Sequence, residues 1–348
     1  MQAEQPSAID LFSGCGGLSL GLQLAGYRVV AAVELDRKAA HTYRLNHPEV
    51  ALFERDITEL SPIEVMKVCG IRPGQLHLLA GCPPCQGFSR IRTRNGSASN
   101  TDPRNNLAIR FLDFAKALRP RHLLLENVPG LRSQTLWHTI KHELVAAGYQ
   151  LAEEIVDAND YGVPQRRKRL LLLGTFGRAP KVPEPCQVKP TVRDALTLVP
   201  AGDPLHELRV NHSEAALRII RAIPKNGGSR ADLPDSLRLA CHSRTNGFGD
   251  VYGRMHWDRP APTITSGCHN PSKGRFLHPS EDRAISLREA ALLQGFPASY
   301  EFELAHGKES IALMIGNALP PPMIRIHAEA LTAGEAQGSE STFSAALN

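Results

Sequence analysis

The sequence predicts an α/β protein with a doubly wound, mostly parallel sheet and a second, smaller domain. Three observations carry this. Short apolar runs alternate with helix-period stretches through the first half of the chain. A glycine-rich turn stands where the first of those runs hands over to a helix. The alternation stops near Phe176, and a polar, basic, irregular texture replaces it.

In order along the chain, "SAIDLF" is the first strand, followed by the glycine turn and an amphipathic "LSLGLQLAG" that ends at Gly26. "YRVVAAVELD" is the second strand, and "HLLAGC", "RHLLLENV" and "RLLLLGTF" are later ones. "GRAPKVPEPCQVKP", with four prolines, reads as a linker. Helical periodicity returns in "SLREAALLQGF" and again after "GNALPPP". The tail from Leu331 has little to bury and is expected to be mobile.

At 348 residues the chain has room for one large domain and a smaller one. No apolar run approaches the roughly 18 to 20 residues that span a bilayer, and "MQAEQPSAID" is not a secretory signal. Seven irregularly spaced cysteines do not make a disulfide framework, so a reducing, cytoplasmic setting is expected. Between Thr175 and Arg275 stand 15 Lys/Arg against nine Asp/Glu. That excess exceeds the net charge of +5 for the whole chain, and basic surface of this density suits phosphate.

The turn "DLFSGCGGLSLG" lets the backbone approach a ligand beside a helix N-terminus. Its spacing is not the dinucleotide fingerprint, because Ser19 stands where the third glycine would fall. Glu34, at the end of the second strand, is placed to accept the two hydroxyls of a ribose. Asp56, in "FERDITEL", could accept from an adenine amino group, so an adenosine-type cofactor is expected.

"AGCPPCQGFS" raises three readings for Cys82 and Cys85. A structural zinc needs four ligands, and no second Cys-x-x-Cys is present. A redox pair would leave the glycine turn and the acids unexplained. In the third reading one cysteine is a nucleophile. Glu126 ends a buried-looking strand, where an acid is costly without a partner. Arg167 and Arg169 precede another strand, and alternation should send both to the same side.

"DLFSGCGG", "VELD", "GCPPCQGFS", "DPRNNL", "ENVPG", "QRRKR", "RPAPTIT" and "GNALPPP" occur in the order of the C5-cytosine DNA methyltransferase family of bacterial restriction-modification type, which the chain resembles from about Ile9 to Ile326. The resemblance implies a Rossmann-like, class I S-adenosylmethionine-dependent fold. It implies a catalytic and cofactor-binding domain over 1–177, a target-recognition domain over 178–295 including "RPAPTIT", a segment over 296–330 that returns to the catalytic domain, and a tail over 331–348. Cys85 matches the nucleophile, Glu126 the acid, and Arg167 with Arg169 the arginines flanking the target base. Phe12, Gly14, Gly16, Gly17, Glu34, Asp56, Ile57, Pro84, Leu107 and Asn317 match the S-adenosylmethionine pocket, whose product is S-adenosylhomocysteine; no metal is implied. Cys82 matches a variable position and reads as a bystander, so Cys82→Ser should be tolerated where Cys85→Ser is not.

The implied reaction adds Cys85 to C6 of a cytosine flipped out of double-stranded DNA, then methylates C5 within a short specific sequence. In the stretch after Cys85, Ser89, Arg90, Arg92 and Arg94 are candidate DNA contacts. Arg230, Arg244, Asn246 and Arg254 are candidate base readers, since Arg suits guanine and Asn adenine. A monomer, and a cognate restriction endonuclease acting on the same site, complete the expectation. A tRNA cytosine-5 methyltransferase of similar architecture is the alternative, although its usual Cys-Phe-Thr element does not occur.

Overall fold

A computed structural model describes residues 5–84, 106–208, 211–237 and 250–333. Cys85, Ser89, Arg90, Arg92, Arg94, Arg244, Asn246 and the tail beyond 333 lie outside the described residues. The chain divides into two compact units. The first comprises residues 1–157, 168–185 and 319–348, and the second comprises 158–167 and 186–318.

The first unit is built on a seven-stranded sheet in the order β3-β2-β1-β4-β5-β7-β6. Its strands are β1 (Ser7–Leu11), β2 (Arg28–Val33), β3 (Ala51–Phe53), β4 (Leu78–Gly81), β5 (His122–Asn127), β6 (Tyr149–Asp157) and β7 (Lys168–Phe176). The first five pair in parallel, whereas β7 is antiparallel to both β5 and β6. β1, β4 and β5 are buried along their whole length, as central parallel strands are, and the polar Asp10 and Glu126 are buried with their apolar neighbours. Helices α1 (Gly17–Leu24), α2 (Arg37–Asn46), α3 (Pro62–Cys69), α4 (Asn106–Leu118) and α5 (Thr135–Ala146) connect them. The core gathers Ile9, Leu11, Leu79, Phe111, Phe114, Leu123, Trp137 and Leu172.

The C-terminal helix α11 (Pro321–Thr332) belongs to this unit and packs on α1. Gly21 permits the approach: a Cβ there would lie 2.6 Å from Cβ of Ile324. Tyr27 Oη donates to the carbonyl of Ala328. Between α1 and β1, the Ser19 hydroxyl donates to Asp10 Oδ2 at 2.7 Å and accepts from the Tyr43 hydroxyl at 2.8 Å. Burial pushes the Asp10 carboxyl up to about 8.

The second unit contains α6 (Val192–Leu196), α7 (Pro204–Glu207), α8 (Glu214–Ala222), α9 (Leu287–Gln294) and α10 (Gly307–Asn317). It extends past residue 295, to Ala318, because α9 and α10 pack on each other. It also takes in residues 158–167, ahead of the proline-rich stretch. Ile219, Ile223 and Leu233 form a small apolar core. A capping box between Ser286 and Glu289 starts α9, and Arg283 grips the same glutamate with two 2.7 Å bonds.

Arg254 departs from its expected role as a base reader. Its side chain is wholly buried. Its guanidinium donates to the carbonyls of Ile223 (3.1 Å), His278 (3.0 Å), Ile220 (2.8 Å) and Glu281, and to Asp282 Oδ1 (2.6 Å). Every one of its polar edges is spent inside the unit, so none is offered to a base. The planar fork cannot be replaced by a point charge. Arg254→Ala and Arg254→Lys should therefore both destabilise this unit, Arg254→Ala by about 3 to 5 kcal/mol. Denaturant unfolding followed by the fluorescence of Trp257 checks this.

Candidate active site

Parallel strands bring their C-terminal ends to one edge of the sheet, and the chain changes direction there. After β1 the backbone enters a turn with positive φ at Phe12 (67°), Gly14 (56°) and Gly16 (100°), and Gly17 begins α1. Phe12 is not a glycine and pays for that conformation. The turn is fixed by Ser13 N–H donating to the Val33 carbonyl at 3.0 Å. Gly14 N–H donates to Glu34 Oε2 at 2.7 Å, and Asp36 N–H to Oε1 at 2.8 Å.

Burial raises the pKa of Glu34, and the two amide donors oppose that rise. A Cβ at Gly14 would meet nothing within 4 Å, so the turn borders open space. A fixed carboxylate beside an open glycine turn suits the hydroxyls of an adenosine-type cofactor. Cys15, in the same turn, is buried and its thiol is pushed up to about 12, which makes it inert.

The other expected pocket residues fall into three groups. Asp56 caps a short 3-10 turn through Oδ1, which accepts from Thr58 N–H and Oγ1, both at 2.8 Å; these bonds do not use Oδ2. Ile57 is buried in the core and Leu107 packs against it. Pro84 is exposed at the last described residue before Cys85, and Asn317 is exposed at the end of α10 in the second unit.

Glu126 is the last residue but one of β5 and is 2% exposed. Arg169, at the start of β7, donates from Nε to Glu126 Oε1 at 2.8 Å. The antiparallel pairing of β5 with β7 makes this possible, because it sets Asn127 against Leu170 and so brings the start of β7 to the end of β5. Arg169 also donates from Nη1 to the Lys168 carbonyl at 2.8 Å. On the other side of Glu126, the Cys82 thiol donates to Oε2 at 2.6 Å. Cys82 is thus not a bystander in this structure. The neighbouring Asn127 donates from Nδ2 to the Pro83 carbonyl at 3.2 Å, which ties the end of β5 to the Pro-Pro step before Cys85. The sequence reading missed Asn127, although it is the middle residue of "ENV".

Arg167 and Arg169 do not share a side. Arg167 precedes β7, and its carbonyl accepts from Ala158 N–H, which places it in the second unit. Its buried guanidinium donates to the carbonyls of Ile264 (3.0 Å), Gly316 (3.0 Å) and Ala318 (3.3 Å). Those carbonyls lie within "RPAPTIT" and on either side of Asn317. Gln165 reinforces the knot, accepting from Ile264 N–H at 2.7 Å and donating to Gln294 Oε1 at 2.7 Å. Arg167 therefore braces two loops and does not present its guanidinium to a base. Arg230 is half-buried at the start of a 3-10 turn.

Comparison with known proteins agrees with this geometry. Residues 7–333 match the family described as C-5 cytosine-specific DNA methylase. The Type II methylase M.HgiDII of Herpetosiphon aurantiacus is 35% identical, over 93% of this chain and 94% of its own length. The Type II methyltransferase M1.HphI of Haemophilus parahaemolyticus is 34% identical, over 93% of this chain and 86% of its own. Among solved structures, a DNA modification methyltransferase encoded within an E. coli prophage superposes with a TM-score of 0.74 at 25% identity, covering 95% of this chain and all of the other. The chain belongs to the C-5 cytosine-specific DNA methylase family and is an S-adenosylmethionine-dependent DNA (cytosine-5) methyltransferase.

Proposed function

We propose that this enzyme flips a target cytosine out of duplex DNA, adds Cys85 to C6 and directs methylation to C5 within a short recognition sequence. The observation that carries the reading is the buried Glu126 carboxylate, gripped by Arg169 and tied through Asn127 to the segment that leads into Cys85. S-adenosylmethionine, when bound, supplies an electrophilic methyl group on its sulfonium. The turn of Phe12, Gly14, Gly16 and Gly17, with Glu34 and Asp56, would hold its adenosine, and Ile57, Pro84 and Leu107 would complete the pocket.

C5 of cytosine is a weak nucleophile until C6 is attacked. The Cys85 thiolate forms a bond to C6, and the electron pair of the C5–C6 double bond becomes available at C5. Charge that reaches the N3–C2–O2 edge has to be met. Glu126 holds or shares a proton with N3, and Arg169, whose Nε and Nη1 are engaged among the described residues, offers Nη2 to O2. Once C5 carries the methyl group, loss of its proton and departure of Cys85 restore the aromatic ring. Arg90, Arg92 and Arg94 hold phosphates, and Ser89 adds a polar contact. The second unit reads the sequence, with Arg230, Arg244 and Asn246 as candidates. A restriction endonuclease acting on the same site is the expected companion.

Transfer of a labelled methyl group to duplex DNA and to tRNA tests the assignment. Label should enter DNA, and Cys85→Ala should lose at least about 10³-fold in rate while still binding DNA. Transfer to tRNA alone, or an active Cys85→Ala, contradicts it.

The two arginines should also separate cleanly. Arg169→Lys should lower the methylation rate constant by about 10²-fold with little change in melting temperature. Arg167→Lys should lower the melting temperature first, because the buried carbonyls of Ile264 and Gly316 lose this donor. Thermal unfolding beside single-turnover kinetics reads both.

A further inference from the structure

Cys82 follows β4 directly, and its backbone N–H donates to the Leu11 carbonyl at 3.2 Å. The sheet therefore fixes its position, independently of the segment that begins at Cys85. Its half-buried side chain donates to Glu126 Oε2 at 2.6 Å, while Arg169 Nε holds Oε1 at 2.8 Å. Each oxygen of the carboxylate thus has one donor, and the two donors come from strands on either side of β5.

We infer that Cys82 is a positioning residue for Glu126, fixing the plane of the carboxylate that meets N3 of the target cytosine. The inference rests on the proposed reaction and deepens it. The terminal torsion of a glutamate is broad and roughly two-fold, so a donor at one oxygen alone leaves the plane poorly defined. A second donor at the other oxygen settles it. The choice of a thiol has a physical reason. A lysine or arginine at position 82 would neutralise the carboxylate a second time and compete with the base. A thiol is neutral and a weak donor, so it orients Oε2 and yields that oxygen, or shares it, when N3 arrives. An alanine would leave a buried oxygen without this donor.

The test compares Cys82→Ala and Cys82→Ser in the full-length enzyme on duplex DNA. Cys82→Ala should lower the single-turnover methylation rate about 10-fold, with KM for DNA and for S-adenosylmethionine held within about twofold. Cys82→Ser restores a donor and should recover most of that loss. A second measurement reads the contact without catalysis. The S–H stretching band isolated by subtracting the Cys82→Ser infrared spectrum should move to higher wavenumber when Glu126→Gln removes the carboxylate. A wild-type rate in Cys82→Ala, a Cys82→Ser enzyme as slow as Cys82→Ala, or an S–H band unmoved by Glu126→Gln would each overturn the inference. An active Cys85→Ala would instead overturn the reaction itself and leave the infrared result standing.

Discussion

A carboxylate cannot be buried without donors, and Glu126 is the carboxylate around which the sheet edge is organised. β4 delivers one donor through Cys82, and β7 delivers the other through Arg169. The second delivery depends on β7 standing antiparallel beside β5 in a sheet that is otherwise parallel. A parallel β7 would start at the opposite edge, and an arginine at its beginning could not reach the end of β5. The reversed strand brings Arg169 to Glu126 within two residues of the β5–β7 ladder.

The same edge carries the glycine turn. β1 has β2 on one side and β4 on the other, so the strand order reverses there, the place where open α/β sheets bind ligands at the strands' carboxyl ends. Glu34 from β2 locks the turn by accepting from Gly14, and Asn127 from β5 reaches the Pro83 carbonyl. Side chains therefore fix the backbone of both the glycine turn and the Pro-Pro step from neighbouring strands. Precision of this kind suits a reaction whose barrier falls through positioning and preorganised charge.

The second unit uses arginine differently. Arg254 and Arg167 are buried, and both are spent on backbone carbonyls of irregular segments. Among its described residues this unit has isolated bridges in place of strand ladders, so many of its carbonyls need other donors, and a five-donor guanidinium satisfies several at once. Part of its basic composition is thus internal scaffolding, and the share left to face a nucleic acid is smaller than the sequence count.

The central strands were legible because a buried parallel strand carries a run of apolar residues, as "LLL" does in "HLLLEN" and "LLAG" in "HLLAGC". β3 has only three residues, and β6 is an edge strand that carries Glu153 and Glu154, so neither shows that signature. Glu126, Arg169 and Glu34 could be read from motif and position. Cys82 could not, since its partner is 44 residues away and only strand pairing joins them. Arg167 was misplaced because alternation was extended one residue too far: β7 begins at Lys168, and Arg167 turns into the other unit. The most direct measurement of the account is covalent trapping on duplex DNA in which the target cytosine carries fluorine at C5. The final step needs a proton to leave C5, and fluorine cannot leave in its place. A denaturation-resistant protein–DNA complex linked through Cys85 is the expected result. Methylation of ordinary DNA with no such complex on the fluorinated duplex would contradict it.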